Sequence, residues 1–192
     1  MHSIKYLTKE EIEKFGKVAK KNPLNALAFH LVILGGLRVA ELINIKIEDF
    51  KWDDGAGKLW VERVKGGQKH HIALAPETER LYKRWMRVRN RLKTSRSNPF
   101  LFPSRLSRHR SRSRDSFQFS FREICEQAGI KDHSIHDLRH SAAVLLLLQG
   151  KNLATVRNQL GHTQISSTEV YLQFIETAKE SKESSEYLSS LL

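Results

Sequence analysis

Residues 135–150 read IHDLRHSAAVLLLLQG, and this stretch decides the architecture of the chain. It is too long for a typical strand, it stops at Gly150, and its second half, Ala142 to Leu148, is the longest apolar run in the sequence. It therefore predicts a helix, most of it buried. The same run falls far short of the about 20 residues that a membrane span requires. The polar front of the helix carries His136, Arg139 and His140. Positions three and four apart share a helix face, so these side chains project toward one neighbourhood.

Two histidines at that spacing can hold a metal, as in H-E-x-x-H helices. Here Asp137 stands where that motif has glutamate, and Arg139 sets a fixed positive charge between the imidazoles. With no obvious third ligand, no metal site and no cofactor are expected.

Working outward, Thr8 and Glu11 form a capping box, with Leu7 and Ile12 as its hydrophobic staple, and start a first helix that Pro23 ends. Pro23 opens a second helix, which runs to Gly35. After Gly35 and Gly36, the segment Leu37 to Ile43 reads as helical, and the glycine pair leaves room for close approach of a backbone or a ligand. Trp60, Val61 and Val64 predict one strand and Ile72 to Leu74 its antiparallel return, around a Lys65–Lys69 turn. Leu81, Trp85, Val88 and Leu92 mark an amphipathic helix whose arginine-rich face is expected in solvent. Pro103 to Arg114, arginines among serines, reads as a mobile loop able to meet phosphates. Phe117, Phe121, Ile124 and Ala128 make a helix stopped by Gly129. Asn152 to Leu160 makes another, closed by Gly161, and Ser166 with Glu169 forms a second capping box before Tyr171. The fold class is mainly α with one small antiparallel β-sheet, an α+β domain.

Lysine and arginine number 33 against 21 acidic residues among the 192, a formal net charge of +12, which points to a polyanionic partner. A single cysteine, Cys125, excludes an internal disulfide and a cysteine-rich zinc cluster. No signal-like segment is present, and a soluble cytoplasmic, nucleoid-associated protein is expected.

Four segments in order, Gly36-Leu37-Arg38-Val39-Ala40-Glu41-Leu42, Lys65-Gly66-Gly67, His136-Asp137-Leu138-Arg139-His140, and Leu160-Gly161-His162 followed by Tyr171, resemble the tyrosine recombinase (phage integrase) family. The resemblance runs from about Leu7 to Phe174. It implies the DNA breaking-rejoining fold, with Arg38, Lys65, His136, Arg139 and His162 around a scissile phosphate that Tyr171 attacks to form a 3′-phosphotyrosyl intermediate, needing neither metal nor ATP. Glu41 and His140 are expected to support that set without touching the phosphate, Glu41 through a salt bridge to Arg38.

The chemistry is sound on its own terms. Planar guanidiniums suit the charge that builds on non-bridging oxygens, a lysine can protonate the departing 5′ oxygen, and a phenol of pKa near 10 becomes a useful nucleophile where cations favour its phenolate. The resemblance also implies double-stranded DNA as partner and a tetramer on DNA formed from monomers. Residues 1–176 are expected to form the catalytic domain. Residues 177–192 form a tail, with Tyr187 and Leu188 able to dock on a neighbour. The amino-terminal DNA-clamping domain usual in the family is expected to be absent, which leaves salt-sensitive phosphate contacts to carry binding. The rival readings are a DNA-binding accessory protein of the same fold without catalysis and a type IB topoisomerase-like activity.

Overall fold

Thr8 and Glu11 exchange hydrogen bonds, the Thr8 amide donating to Glu11 Oε2 at 2.8 Å and the Glu11 amide to Thr8 Oγ1 at 3.2 Å. This reciprocal cap starts α1, Lys9–Ala19. The computed structural model describes residues 4–53, 56–62, 69–161, 170–177 and 189. After α1 come α2 (Pro23–Gly35), a short α3 (Val39–Leu42), β1 (Phe50–Asp53), β2 (Ala56–Glu62), β3 (Lys69–Leu74), α4 (Pro76–Arg89), α5 (Arg114–Ala128), α6 (Ile135–Leu148) and α7 (Leu153–Leu160). Residues 170–177 are also helical.

Helix α2 is the centre of the domain. Asn22 caps it through the Leu24 amide at 2.9 Å, and Pro23 occupies its first turn. Leu24, Leu27, Phe29, Leu31 and Val32 are all buried, because α1, α4 and α6 pack around it. Phe29 meets Phe15 of α1 at 5.3 Å and Phe117 of α5 at 6.5 Å between ring centroids, both edge to face.

The strands pair antiparallel in the order β1-β2-β3, with Phe50 opposite Leu59 and Leu59 opposite Ile72. Leu59, Val61, Ile72 and Leu74 are buried on the inner face. Trp60 and His71 pair on the outer face with ring centroids 5.3 Å apart. The expected hairpin is present, and β1 adds a third strand that the sequence reading did not contain. Val64 and the turn at Lys65 lie outside the described residues.

One expectation is corrected by the packing. Arg89, placed in solvent by the amphipathic pattern of α4, is buried: its guanidinium donates to the carbonyls of Asn98 at 2.6 Å, Phe100 at 2.9 Å and Leu101 at 3.2 Å. A buried arginine is tolerated where its donors meet acceptors, and here a chain segment turns its carbonyls inward. The arginine-serine segment is a loop pinned at its base. Ser104 N–H donates to Arg110 O at 2.9 Å and Arg112 N–H to Phe102 O at 2.8 Å, while Arg112 sits 5.6 Å from the Phe117 ring centroid.

Buried apolar side chains form two groups. The larger runs from Leu7 through α2, the sheet, α4 and α5 to Leu138. The smaller joins Ala142, Ala143 and Val144 of α6 to Val156 and Leu160 of α7 and to Tyr171 and Ile175.

Candidate active site

Helix α2 ends at Gly36, whose φ of 55° lies in the left-handed region. The close approach expected at the glycine pair is taken by the protein itself. A Cβ at Gly35 would collide with Ile72 and one at Gly36 with Leu160. The exposed carbonyls at this helix end are satisfied by side chains: Arg139 Nη1 donates to Gly36 O and Gln159 Nε2 to Leu34 O. Helices α6 and α7 are thereby fastened to the point where the chain turns into α3.

Arg38 stands at the N-cap of α3. Glu41, 2% exposed, binds it twice: the carboxylate accepts from the Arg38 amide at 2.8 Å and from Arg38 Nη1 at 3.0 Å. The carboxylate caps a four-residue helix and at the same time aims the guanidinium, whose side chain keeps about a third of its surface (32%) open. The ion pair expected between Arg38 and Glu41 is therefore present.

Across from it, Asp137 caps α6 through the Ser134 amide at 2.8 Å, which fixes the helix start and so the direction of His136, Arg139 and His140. Arg139 is 2% exposed, with one nitrogen anchored on Gly36 O. His136 is exposed, and its ring meets that of His140 edge to face at 4.7 Å. Burial, then Arg139 and Arg38, hold the His136 imidazole below its ordinary pKa, against an opposite pull from Asp137.

Tyr171 packs onto this group from 170–177, with its hydroxyl 2.8 Å from His140 Nδ1. It is 5% exposed. The expected pull of cations toward the phenolate is present, but burial outweighs it. Burial pushes the phenol pKa up, and Arg139 and Arg38 only partly oppose it. In this arrangement Tyr171 is a neutral phenol. The direct contact with His140 was also not foreseen, since the sequence placed that histidine behind the others; its position one turn after His136 was the available signal.

Arg38, His136, Arg139 and Tyr171 thus share one electrostatic neighbourhood, joined by Glu41 and His140. Lys65 and His162, the other two expected site residues, lie outside the described residues, as do the Ser166–Glu169 capping box and Tyr187.

Solved structures share this architecture. XerH site-specific recombinase in a post-cleavage complex with palindromic difH substrate superposes with a TM-score of 0.80 at 25% identity, covering 95% of this chain and 53% of that one. XerA recombinase superposes at 0.76 and 25% identity, covering 89% of this chain and 61% of that one. The phage integrase family model matches residues 5–177, and the chain belongs to that family. Among curated relatives, tyrosine recombinase XerA of Pyrococcus furiosus is 34% identical over 186 residues, 95% of this chain and 61% of that protein. Tyrosine recombinase XerD of Brucella suis is 30% identical over 159 residues, 80% of this chain and 50% of that protein. The chain therefore spans between half and about three-fifths of the length of these relatives.

Proposed function

We propose that this chain is the catalytic part, residues 1–176, of a tyrosine site-specific recombinase, and that it cuts and rejoins double-stranded DNA through Tyr171. The observation that carries this reading is the Tyr171 hydroxyl set against α6 within the field of both Arg139 and Arg38. A phenol set on one imidazole and within the field of two guanidiniums suits in-line attack on a phosphodiester, whose developing charge the guanidiniums neutralise.

In this reading Arg38, aimed by Glu41, and Arg139, anchored on Gly36, clamp the non-bridging oxygens. His136 and His162 donate to the phosphate, and Lys65 protonates the departing 5′ oxygen. The phosphotyrosyl bond conserves the energy of the broken phosphodiester, so a 5′ hydroxyl from another strand can reverse the step. The net charge of +12 favours a DNA partner and a nucleoid location, with affinity that falls steeply with salt. One solved relative of the same fold is a lambda integrase tetramer bound to a Holliday junction. Four copies of the present chain on two duplexes, with residues 177–192 docking on a neighbour, are proposed on that analogy.

The test is to incubate the protein with pooled nicked fragments of its source DNA and resolve protein-linked DNA on denaturing gels, beside Tyr171→Phe. An adduct formed by the wild type and lost in the variant is expected. Retained DNA binding without an adduct would favour an accessory DNA-binding protein, and relaxation of supercoiled plasmid without strand exchange a topoisomerase.

A further inference from the structure

His140 stands in contact with the atom expected to react. Its Nδ1 lies 2.8 Å from the Tyr171 hydroxyl, and its ring is 5.6 Å from the tyrosine ring, centroid to centroid. His136, one turn earlier, meets His140 edge to face and is the more exposed of the two. Among the described residues, the charged groups acting on His140 are His136, Asp137 and Arg139 on its own helix, with Tyr171 facing it from 170–177. Burial first, then His136, hold its imidazole below the ordinary pKa, with Asp137 opposing. A neutral imidazole carries one ring proton, and a neutral phenol beside it has a proton to donate, so the tautomer that fits the pair leaves Nδ1 bare as the acceptor.

Resting on the recombinase reading above, we propose that His140 is a catalytic residue that orients the Tyr171 hydroxyl through Nδ1 and takes up its proton during strand cleavage. As Tyr171 Oη bonds to phosphorus, the bond from phosphorus to the 5′ oxygen breaks and the phenolic proton passes to His140 Nδ1, giving an imidazolium. The 5′ oxygen leaves with a proton supplied from the opposite side of the phosphate, the role assigned to Lys65. On rejoining, a 5′ hydroxyl attacks phosphorus and gives its proton back to the group assigned to the leaving side, Lys65, the phosphorus–tyrosine bond breaks, and His140 returns the proton to Tyr171. The imidazolium sits next to Arg139 on α6, whose charge disfavours it, so it is short-lived and readily gives the proton back. His136 remains available to the phosphate itself.

Two measurements decide this. In protein carrying ¹⁵N-histidine, the His140 signals, assigned by their loss in His140→Asn, are expected to show an unprotonated Nδ1 and a protonated Nε2 at neutral pH. A protonated Nδ1 would overturn the proposal whatever DNA the protein cuts. The second uses the nicked duplex recovered from the adduct above, in single-turnover cleavage. His140→Ala is expected to slow adduct formation by on the order of 10²–10⁴-fold. His140→Asn, which can still accept a hydrogen bond but cannot titrate, should recover part of the rate and lose the acid limb of the pH profile. Replacing the bridging 5′ oxygen by sulfur removes the need to protonate the leaving group, so it should leave the His140→Ala defect in place. Rescue by sulfur would assign His140 to the leaving-group side and overturn the proposal. Wild-type cleavage matched by a folded His140→Ala protein would sink the inference and spare the recombinase reading. No adduct from the wild type would remove both.

Discussion

The two apolar groups of this domain are built differently and hold different parts of the candidate site. The larger is aromatic, continuous and centred on α2, and it supports Arg38 through α3. The smaller is made of alanines, valines and leucines of α6 and α7, and Tyr171 and Ile175 complete it. Tyr171 is thus mounted on the lesser core and Arg38 on the greater, while Arg139 spans the seam through Gly36 O. Stability concentrated on one side leaves the other free to rearrange at lower cost.

The largest effect expected is from Phe29→Ala, which removes a ring in contact with Phe15, Phe117 and Phe121 and should cost about 3–5 kcal/mol in denaturant unfolding. Cys125 reports on the same region. Burial, reinforced by the charges of Glu11 and Asp137, pushes its thiol up to about 12, so alkylation should require opening of the larger core and should accelerate in Phe29→Ala. A loss below about 1 kcal/mol would erase the distinction between the two groups.

Glu41→Gln is next. Its one amide oxygen can keep the cap on the Arg38 amide, but the amide nitrogen turns a donor toward Arg38 Nη1 and the charge is lost, so a cost of about 1–3 kcal/mol is expected, with a fall in adduct formation. Unchanged cleavage would detach Glu41 from the aiming of Arg38.

Ile175→Ala should cost less, about 2 kcal/mol at most, because the 170–177 segment can settle into the space. Its amide exchange should rise in 170–177 alone. A uniform rise over α2 and α5 would mean that the two groups melt as one unit.

The smallest effect is set by pH. His30, half-buried on α2, and His136 and His140 at the seam all hold imidazole pKa values below the ordinary 6.5, with burial the first cause in each. The unfolded chain therefore binds protons that the folded one refuses, so stability is full above pH 6.5 and declines as pH falls below it. His140→Asn should shallow that decline, and a slope unaltered by it would assign the effect to the larger group through His30.

Much of this was legible because it is local. The Thr8–Glu11 cap, Pro23 at the start of α2, and the left-handed glycines Gly36, Gly129 and Gly161 need only a few neighbouring residues to act. The residue types of the site were legible as well, since Arg38, His136 and Arg139 stand in short motifs. What was missed depends on partners far along the chain. Strand β1 has four residues and gains its identity from pairing with β2. Arg89 is buried because carbonyls 9 to 12 residues away turn toward it. Tyr171 meets His140 across 31 residues, and its raised pKa comes from burial that no motif encodes.

The Leu7 amide donates to Ser141 Oγ at 2.7 Å, a bond across 134 residues that ties the start of the described chain to α6. During synthesis at about 5–20 residues per second, Leu7 waits on the order of ten seconds or more for that partner to be made. Helix α1 also packs against α5, so its apolar face stays uncovered until that helix leaves the ribosome. The nascent domain therefore keeps open the side of its central helix that α6 covers until residues 135–148 are made, and it is then, before α6 emerges, that a holding chaperone has the most to cover.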